Sequence, residues 1–247
     1  LQKTGLFSAV EILTLEKGTS ISKRTVIIRV QERKPGLVSV GAGVNTEFDF
    51  TIRGYTSISY NNIRGTARAV SARAEVKQIS DINFIDHNIV LGYPEPTLWA
   101  KRTRGRIAFI RAREIFTRTP ETKALESNTA NFFIEKDFSR YFKLTWNLWS
   151  ISTNRVFFVP SEEVEERVNI ATIGPTIELD RRDHPFVTKK GHFSKLSAEL
   201  GHRDLGSSDT VHYTRYDSRV NYYRPFKLLN MVWASSLRAG YMYNLED

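Results

Sequence analysis

After Gly36 the chain alternates apolar and polar residues with a period of two, the pattern of a strand with one greasy and one wet face. The segments 70–77, 142–149, 171–180 and 194–200 are the cleanest. In 142–149, Phe142, Leu144, Trp146 and Leu148 alternate with Lys143, Thr145 and Asn147. Less regular strands are expected at 38–47, 51–60, 84–93, 104–115, 127–136, 210–222 and 229–243, which makes eleven in all. Segment 104–115 fits worst, because Ile107 and Phe109 share a parity with Arg111 and Arg113. No helical period separates one strand from the next. Short connections (61–65, 93–96, 137–140) alternate with long ones (116–126 and 152–167). Before Gly36 the pattern differs. Residues 1–7 read as the end of a helix, and 8–15 with 25–31 as a β-hairpin.

Alternation alone leaves a soluble antiparallel sandwich or barrel level with a membrane barrel, since both have one wet face. Strand length favours the membrane. Many segments run about ten residues, whereas soluble strands average ~5–6 and a tilted spanning strand takes ~9–11. Tyr and Trp near strand ends, such as Tyr55, Tyr60, Tyr93, Trp149, Tyr222 and Tyr241, suit interfacial girdles. The expected fold is therefore all-β: an antiparallel transmembrane β-barrel over 37–247, preceded over 1–36 by the end of an α/β unit.

The chain of 247 residues carries 36 basic and 27 acidic side chains, a formal charge of +9, and no cysteine. Disulfides, thiolate metal sites and cysteine nucleophiles are excluded. The positive balance raises nucleic acid as a partner, but the basic residues are spread along alternating strand positions and no recognition motif occurs. The reading that fits is a polar lumen in which Arg53, Arg73, Arg111, Arg215, Arg219 and Arg238 face water and pair with Glu75, Glu178 and Asp217. The five histidines lack metal-site spacing, and there is no nucleophile elbow. Neither an enzyme nor a cofactor or metal is expected.

One connection stands out: Asp180-Arg181-Arg182-Asp183-His184-Pro185, closed by Lys190-Gly191 and followed by an alternating strand. Asp183 and Pro185 suit a turn start, and Gly191 permits positive φ. Taken alone, it is a long hairpin turn. The pattern Asp-x-Arg-Asp-x-Pro resembles the periplasmic turn of the BamA/TamA family of outer-membrane assembly factors. Other stretches fall in the same order. Leu6 to Ile12 resembles a helix-to-strand corner of a POTRA domain, and Val38 to Glu47 a first barrel strand. Asn61-Asn62-Ile63-Arg64-Gly65-Thr66 resembles the turn after strand two, with Ala67 where the family usually has a second Gly. Tyr93 to Pro96 resembles the turn after strand four.

The resemblance implies that 1–36 is the C-terminal part of the last POTRA domain and 37–247 the first eleven strands of a barrel of about sixteen, an even number as in other bacterial barrels. The start at Leu1 and the end directly after a strand-like run fit an excised piece. The implied location is the bacterial outer membrane, with the POTRA end in the periplasm. Implied partners are outer-membrane lipids, unfolded outer-membrane protein clients and periplasmic accessory subunits. The implied function is insertion of client barrels through a lateral seam at the first strand, where Val38, Val40, Gly41, Gly43 and Val44 lie. The glycines suit a weakly held edge. The alternatives are a two-partner secretion transporter, which shares the POTRA-barrel plan, and a soluble β-rich binding domain.

Overall fold

The computed structural model describes residues 6–14, 25–46, 50–79, 84–98, 103–117, 121–226 and 231–245. A hairpin of β1 (Phe7–Thr14) and β2 (Val26–Glu32) forms a two-stranded sheet of its own. The helix end expected over 1–7 lies mostly outside the described residues, and Phe7 opens β1 instead.

Everything else is one antiparallel sheet of eleven strands in sequence order. Its members are β3 (Gly36–Asn45), β4 (Thr51–Asn61), β5 (Ala69–Ile79), β6 (Phe84–Glu95), β7 (Thr103–Thr117), β8 (Lys123–Asp137), β9 (Phe142–Phe158), β10 (Val164–Asp180), β11 (Gly191–Gly201), β12 (Tyr213–Phe226) and β13 (Met231–Asn244). Each strand pairs with the one before it, so every connection is a hairpin. β3 and β13 are the two edges and do not pair with each other.

The two faces separate by chemistry. On one, Leu144, Ile177, Leu196, Ser218 and Ala239 are cross-strand neighbours. On the other, Lys143, Glu178, Lys195, Arg219 and Arg238 are. The apolar face is open: Val40 is 76% exposed and Leu237 69%. A row of greasy side chains this exposed along strands of this length is what lipid would cover.

The strands differ in height. β3 to β6 have 10 to 12 residues, whereas β7 to β10 have 15 to 17. The connections expected at 116–126 and 152–167 are therefore mostly strand: β9 continues to Phe158, β10 starts at Val164, and β7 and β8 extend to Thr117 and from Lys123. Two causes hid this. Above the membrane both faces of a strand meet water, so alternation fades over Ser152 to Arg155. A bulge also shifts the parity of β9: Phe132 faces Trp149 while Phe133 faces Asn147, leaving Leu148 as the extra residue. The irregularity crosses the sheet at one level. β9 and β10 slip between Thr172 and Gly174, and the β10–β11 ladder skips Gly174 and Pro175. Pro175 has no N–H to give the ladder. At Gly174 a Cβ would lie 2.0 Å from the Ala198 carbonyl oxygen, so only glycine fits.

Above Gly201, β10 has no strand on its β11 side. The connection 202–212 takes that place. Ser207 Oγ accepts from Ala171 N at 2.8 Å and donates to Ala171 O at 3.0 Å. Ser208 accepts from Asn169 N at 2.9 Å through Oγ and donates its own N–H to Asn169 O at 2.8 Å. Trp149 Nε1 donates to Leu205 O at 3.0 Å. These bonds cover what would be an open sheet edge.

Candidate functional site

Three groups of residues were singled out by the sequence: the first barrel strand, the 180–191 turn and the charged lumen.

β3 pairs with β4 along its length, from Gly36 with Tyr60 to Asn45 with Thr51, and has no strand on its other side. Val38, Val40 and Val44 share the apolar face with Ile58 and Ile52. Gly41 and Gly43 lie on the polar face. There the glycines have a use beyond looseness. The Tyr55 ring lies over Gly41, where a Cβ would come within 2.3 Å of it, and the Arg53 side chain runs beside Gly43. Arg73 stacks on Tyr55 at 5.1 Å and reaches Glu75 at 3.1 Å. A bulky β4 ring filling the space above a β3 glycine is a recognised way to hold a weak edge strand.

The 180–191 turn closes on itself. Asp180 receives Arg182 Nη2 at 2.7 Å and Nε at 2.9 Å, and Arg182 Nη1 donates to the Pro185 carbonyl at 3.1 Å. The guanidinium also stacks on Phe193, and Asp180 holds it protonated even more firmly than usual. Asp183 Oδ1 accepts three backbone N–H groups, from His184, Lys189 and Lys190. These donors, Lys190 first, hold the Asp183 carboxyl below the usual carboxylate range. At Gly191, φ is +114° and a Cβ would lie 2.2 Å from Arg181 O. The polar groups of the motif are spent on the turn itself, so its role is to fix β10 against β11.

The polar face carries a network of ion pairs. Arg104 binds Glu135 and, at 3.2 Å, Asp137. Lys143 bridges Glu178 at 2.6 Å and Glu135 at 4.0 Å, and Lys195 reaches Glu178 at 3.5 Å. Arg215 joins Glu199 at 3.4 Å and Asp217 at 3.0 Å. Arg53, Arg73, Glu75, Glu178, Arg215, Asp217, Arg219 and Arg238 all stand on this polar face. Their pairing differs from expectation at one end. Lys195, Arg219 and Arg238 are direct cross-strand neighbours, so the wall of β11 to β13 is positive.

Arg111 corrects the sequence reading. It lies on the apolar side with Ile107 and Phe109, not in the lumen, and pairs with Glu126 at 2.9 Å. The charge is tolerated there because β7 has by that point reached the upper limit of the apolar band. The broken parity of 104–115 was the visible sign. Sequence reasoning missed Glu126, Arg155 and Arg167, which lie on the same face near the top of β8, β9 and β10. Tyr55, which the sequence reading counts among the interfacial aromatics, stands instead on the polar face over Gly41, a partnership no local pattern marks.

A family model described as the Omp85 superfamily domain matches residues 62–246. Among solved structures, BamA from Haemophilus ducreyi lacking POTRA domains 1–3 has the same fold at a TM-score of 0.65 and 14% identity, with 99% of this chain and 48% of that chain covered. CdiB from Acinetobacter baumannii aligns at a TM-score of 0.54 and 12% identity, covering 100% and 46%. The chain thus spans about half the length of either structure. No curated protein matches it in sequence. With the eleven-stranded sheet and its two faces, these matches describe a BamA-like outer-membrane barrel whose sheet is not closed within this chain, and the chain belongs to the Omp85 superfamily.

Proposed function

We propose that this chain is the membrane-inserting part of an outer-membrane protein assembly factor. In this reading residues 1–36 end a POTRA domain in the periplasm, and the β3 edge offers its backbone to an incoming client strand by β-augmentation. The observation that carries the reading is β3 itself. It is a ten-residue strand at the edge proposed for the seam, with valines outward and its two glycines filled only by Tyr55 and Arg53 of β4. Such an edge can exchange a closing partner for a client at little cost in side-chain packing. Lipids, unfolded clients and periplasmic accessory subunits are the proposed partners.

The test is a reversible lock. In the full-length protein, a disulfide between β3 and the last barrel strand should abolish assembly of other outer-membrane proteins, and reduction should restore it. A locked barrel that assembles clients at the normal rate rules the mechanism out. The second reading, a secretion transporter, draws on the positive lumen wall of Lys195, Arg219 and Arg238. It expects the locked barrel to keep working, while replacing those three cations should slow export of a soluble substrate.

Orientation is tested separately. With no native cysteine, Glu163→Cys should label in intact cells and Lys189→Cys should not. The reverse result would invert the barrel.

A further inference from the structure

On the lipid side of the tall strands the chemistry changes within one step of the ladder. Leu91, Phe109, Ala130 and Ile151 form one row across β6 to β9. The next row is Ile89, Arg111, Asn128, Thr153 and Asn169. The row above that is His87, Arg113, Glu126, Arg155 and Arg167. A tilted spanning strand uses about 9–11 residues. Counted upward from Thr103 on β7 and from Asp137 on β8, that length ends at Arg111 to Arg113 and at Thr129 to Ser127, with Glu126 the next residue. Arg155 and Arg167 then stand just above the hydrocarbon, at headgroup depth.

The charges in this patch do not balance. Glu126 lies 2.9 Å from Arg111 and 3.9 Å from Arg155, and Glu162 lies 2.8 Å from Arg113. Two carboxylates thus serve three of the four guanidiniums. Arg167 is exposed, has no ion pair among the described residues, and faces Arg155 directly across the ladder. Like charges opposed in this way destabilise a sheet unless an anion lies between them. The Nε atoms of Arg113 and Arg155 are buried and have no acceptor, a further cost in the absence of a ligand. The guanidiniums are also held in place. Arg113 stacks at 4.7 Å from Phe84 and 4.8 Å from Phe157, and Arg155 at 5.2 Å from Phe157. Planar donors fixed by aromatic rings are suited to phosphate oxygens.

We propose that this face is a binding site for the phosphate groups of outer-leaflet lipid headgroups, clamped between Arg155 and Arg167, with Arg113 further along the same row and Arg111 one row below. The leaflet assignment rests on the orientation proposed above. The occupant is a lipid rather than a free anion because the apolar row of Leu91, Phe109 and Ile151 runs directly beneath the charges, where acyl chains would lie.

The test uses the full-length barrel in detergent, where no leaflets exist and orientation has no influence. Retention of lipid A carrying both phosphates is compared with that of dephosphorylated lipid A by native mass spectrometry. Wild type is expected to retain the phosphorylated form at least tenfold better, and Arg155→Gln with Arg167→Gln to remove the preference. Arg167→Gln alone, at an exposed position, serves if the double variant does not fold, and should lower the preference severalfold. Lys136→Gln, near the other end of β8, should leave it unchanged. Equal retention of both lipids by wild type, or a preference that the Arg167 substitution leaves unchanged, overturns the proposal. Displacement by an equal concentration of inorganic phosphate overturns it in favour of a small-anion site. Cysteine labelling at position 163 reports the orientation independently, so the two ideas fail separately.

Discussion

The β3–β4 hairpin and the wall of β8 to β10 share one alternating pattern and differ in what holds each strand. On β3 the side-chain packing is slight: its glycines sit under Tyr55 and beside Arg53 of β4. β9 is paired on both sides along 17 residues. Its lumen face carries Lys143 in an ion-pair chain, and Ser150, Ser152 and Asn154 in hydrogen bonds with one another and with β8. β10, where it outruns β11, is completed by Ser207 and Ser208. Strand number and alternation set the barrel, while the side-chain ties between neighbouring strands decide how firmly each one is held. Free energy for local opening follows those ties.

The largest expected contrast is between two glycines. Gly174→Ala in the wall drives a Cβ to 2.0 Å from a backbone oxygen that cannot move aside cheaply, whereas at Gly43 the nearest atom is Arg53 Nε at 3.4 Å. Overpacking of the first kind costs ~3 kcal/mol. Gly43→Ala should stay within ~1 kcal/mol of wild type. Denaturant unfolding of the detergent-solubilised barrel, followed by heat-modifiable gel mobility, reads both. Equal effects would erase the comparison.

A second contrast tests the faces rather than the edges. Leu196→Arg places a charge on the lipid side, at a cost of ~2–4 kcal/mol near the midplane. Ser197→Arg points into the polar lumen beside Asp217 and should change the folded fraction little. The same assay reads it, and equal losses would count against a lipid-facing row. A smaller effect is expected at the turn after β4. Ala67 is held at φ 62°, a left-handed conformation that costs an L-residue ~1–2 kcal/mol. Ala67→Gly should therefore raise the unfolding midpoint by an amount of that order.

The smallest effect is a dependence on pH. The Asp183 carboxyl is held below its ordinary value in the folded turn. Its stabilising contribution is therefore fully present above the unfolded value of ~3.9 and is lost as pH falls through the lower folded value. Asp183→Asn should weaken protection of the Lys189 and Lys190 amides at pH 7. It should match wild type at pH values low enough to protonate the carboxyl, as measured by hydrogen exchange. A difference that persists unchanged into acid would assign the turn's order to something other than this carboxylate.

The strand count was legible because alternation survives wherever one face meets lipid and the other water. It failed where that asymmetry ends. Residues 152–158 are strand in the structure and read as loop in the sequence, since polar residues occupy both faces over Ser152 to Arg155 and Leu148 shifts the parity. Arg111 was placed in the lumen by charge alone, although its parity with Phe109 pointed outward. The lumen charges were readable because each sits at a regular polar position. Their partners were not, because register across strands is set by turns and bulges. The fit of Tyr55 over Gly41 is likewise a cross-strand relation that one sequence does not display. Ala67 shows the opposite case: a departure from the resembled family's glycine that the chain accommodates in the same strained conformation.

The connection 202–212 has a consequence for how sequences of this kind can vary. Two of its serines serve as ladder rungs for Ala171 and Asn169, so its length is a fitted dimension and not free slack. A library of single-residue insertions should lose variants throughout 202–212 as sharply as inside a strand. Insertions at the β9–β10 tip, 159–163, where Glu162 bonds Arg113 but no side chain is seen completing a strand ladder, should be tolerated better. Gaps in an alignment would then mark which loops are spacers and which are surrogate strands.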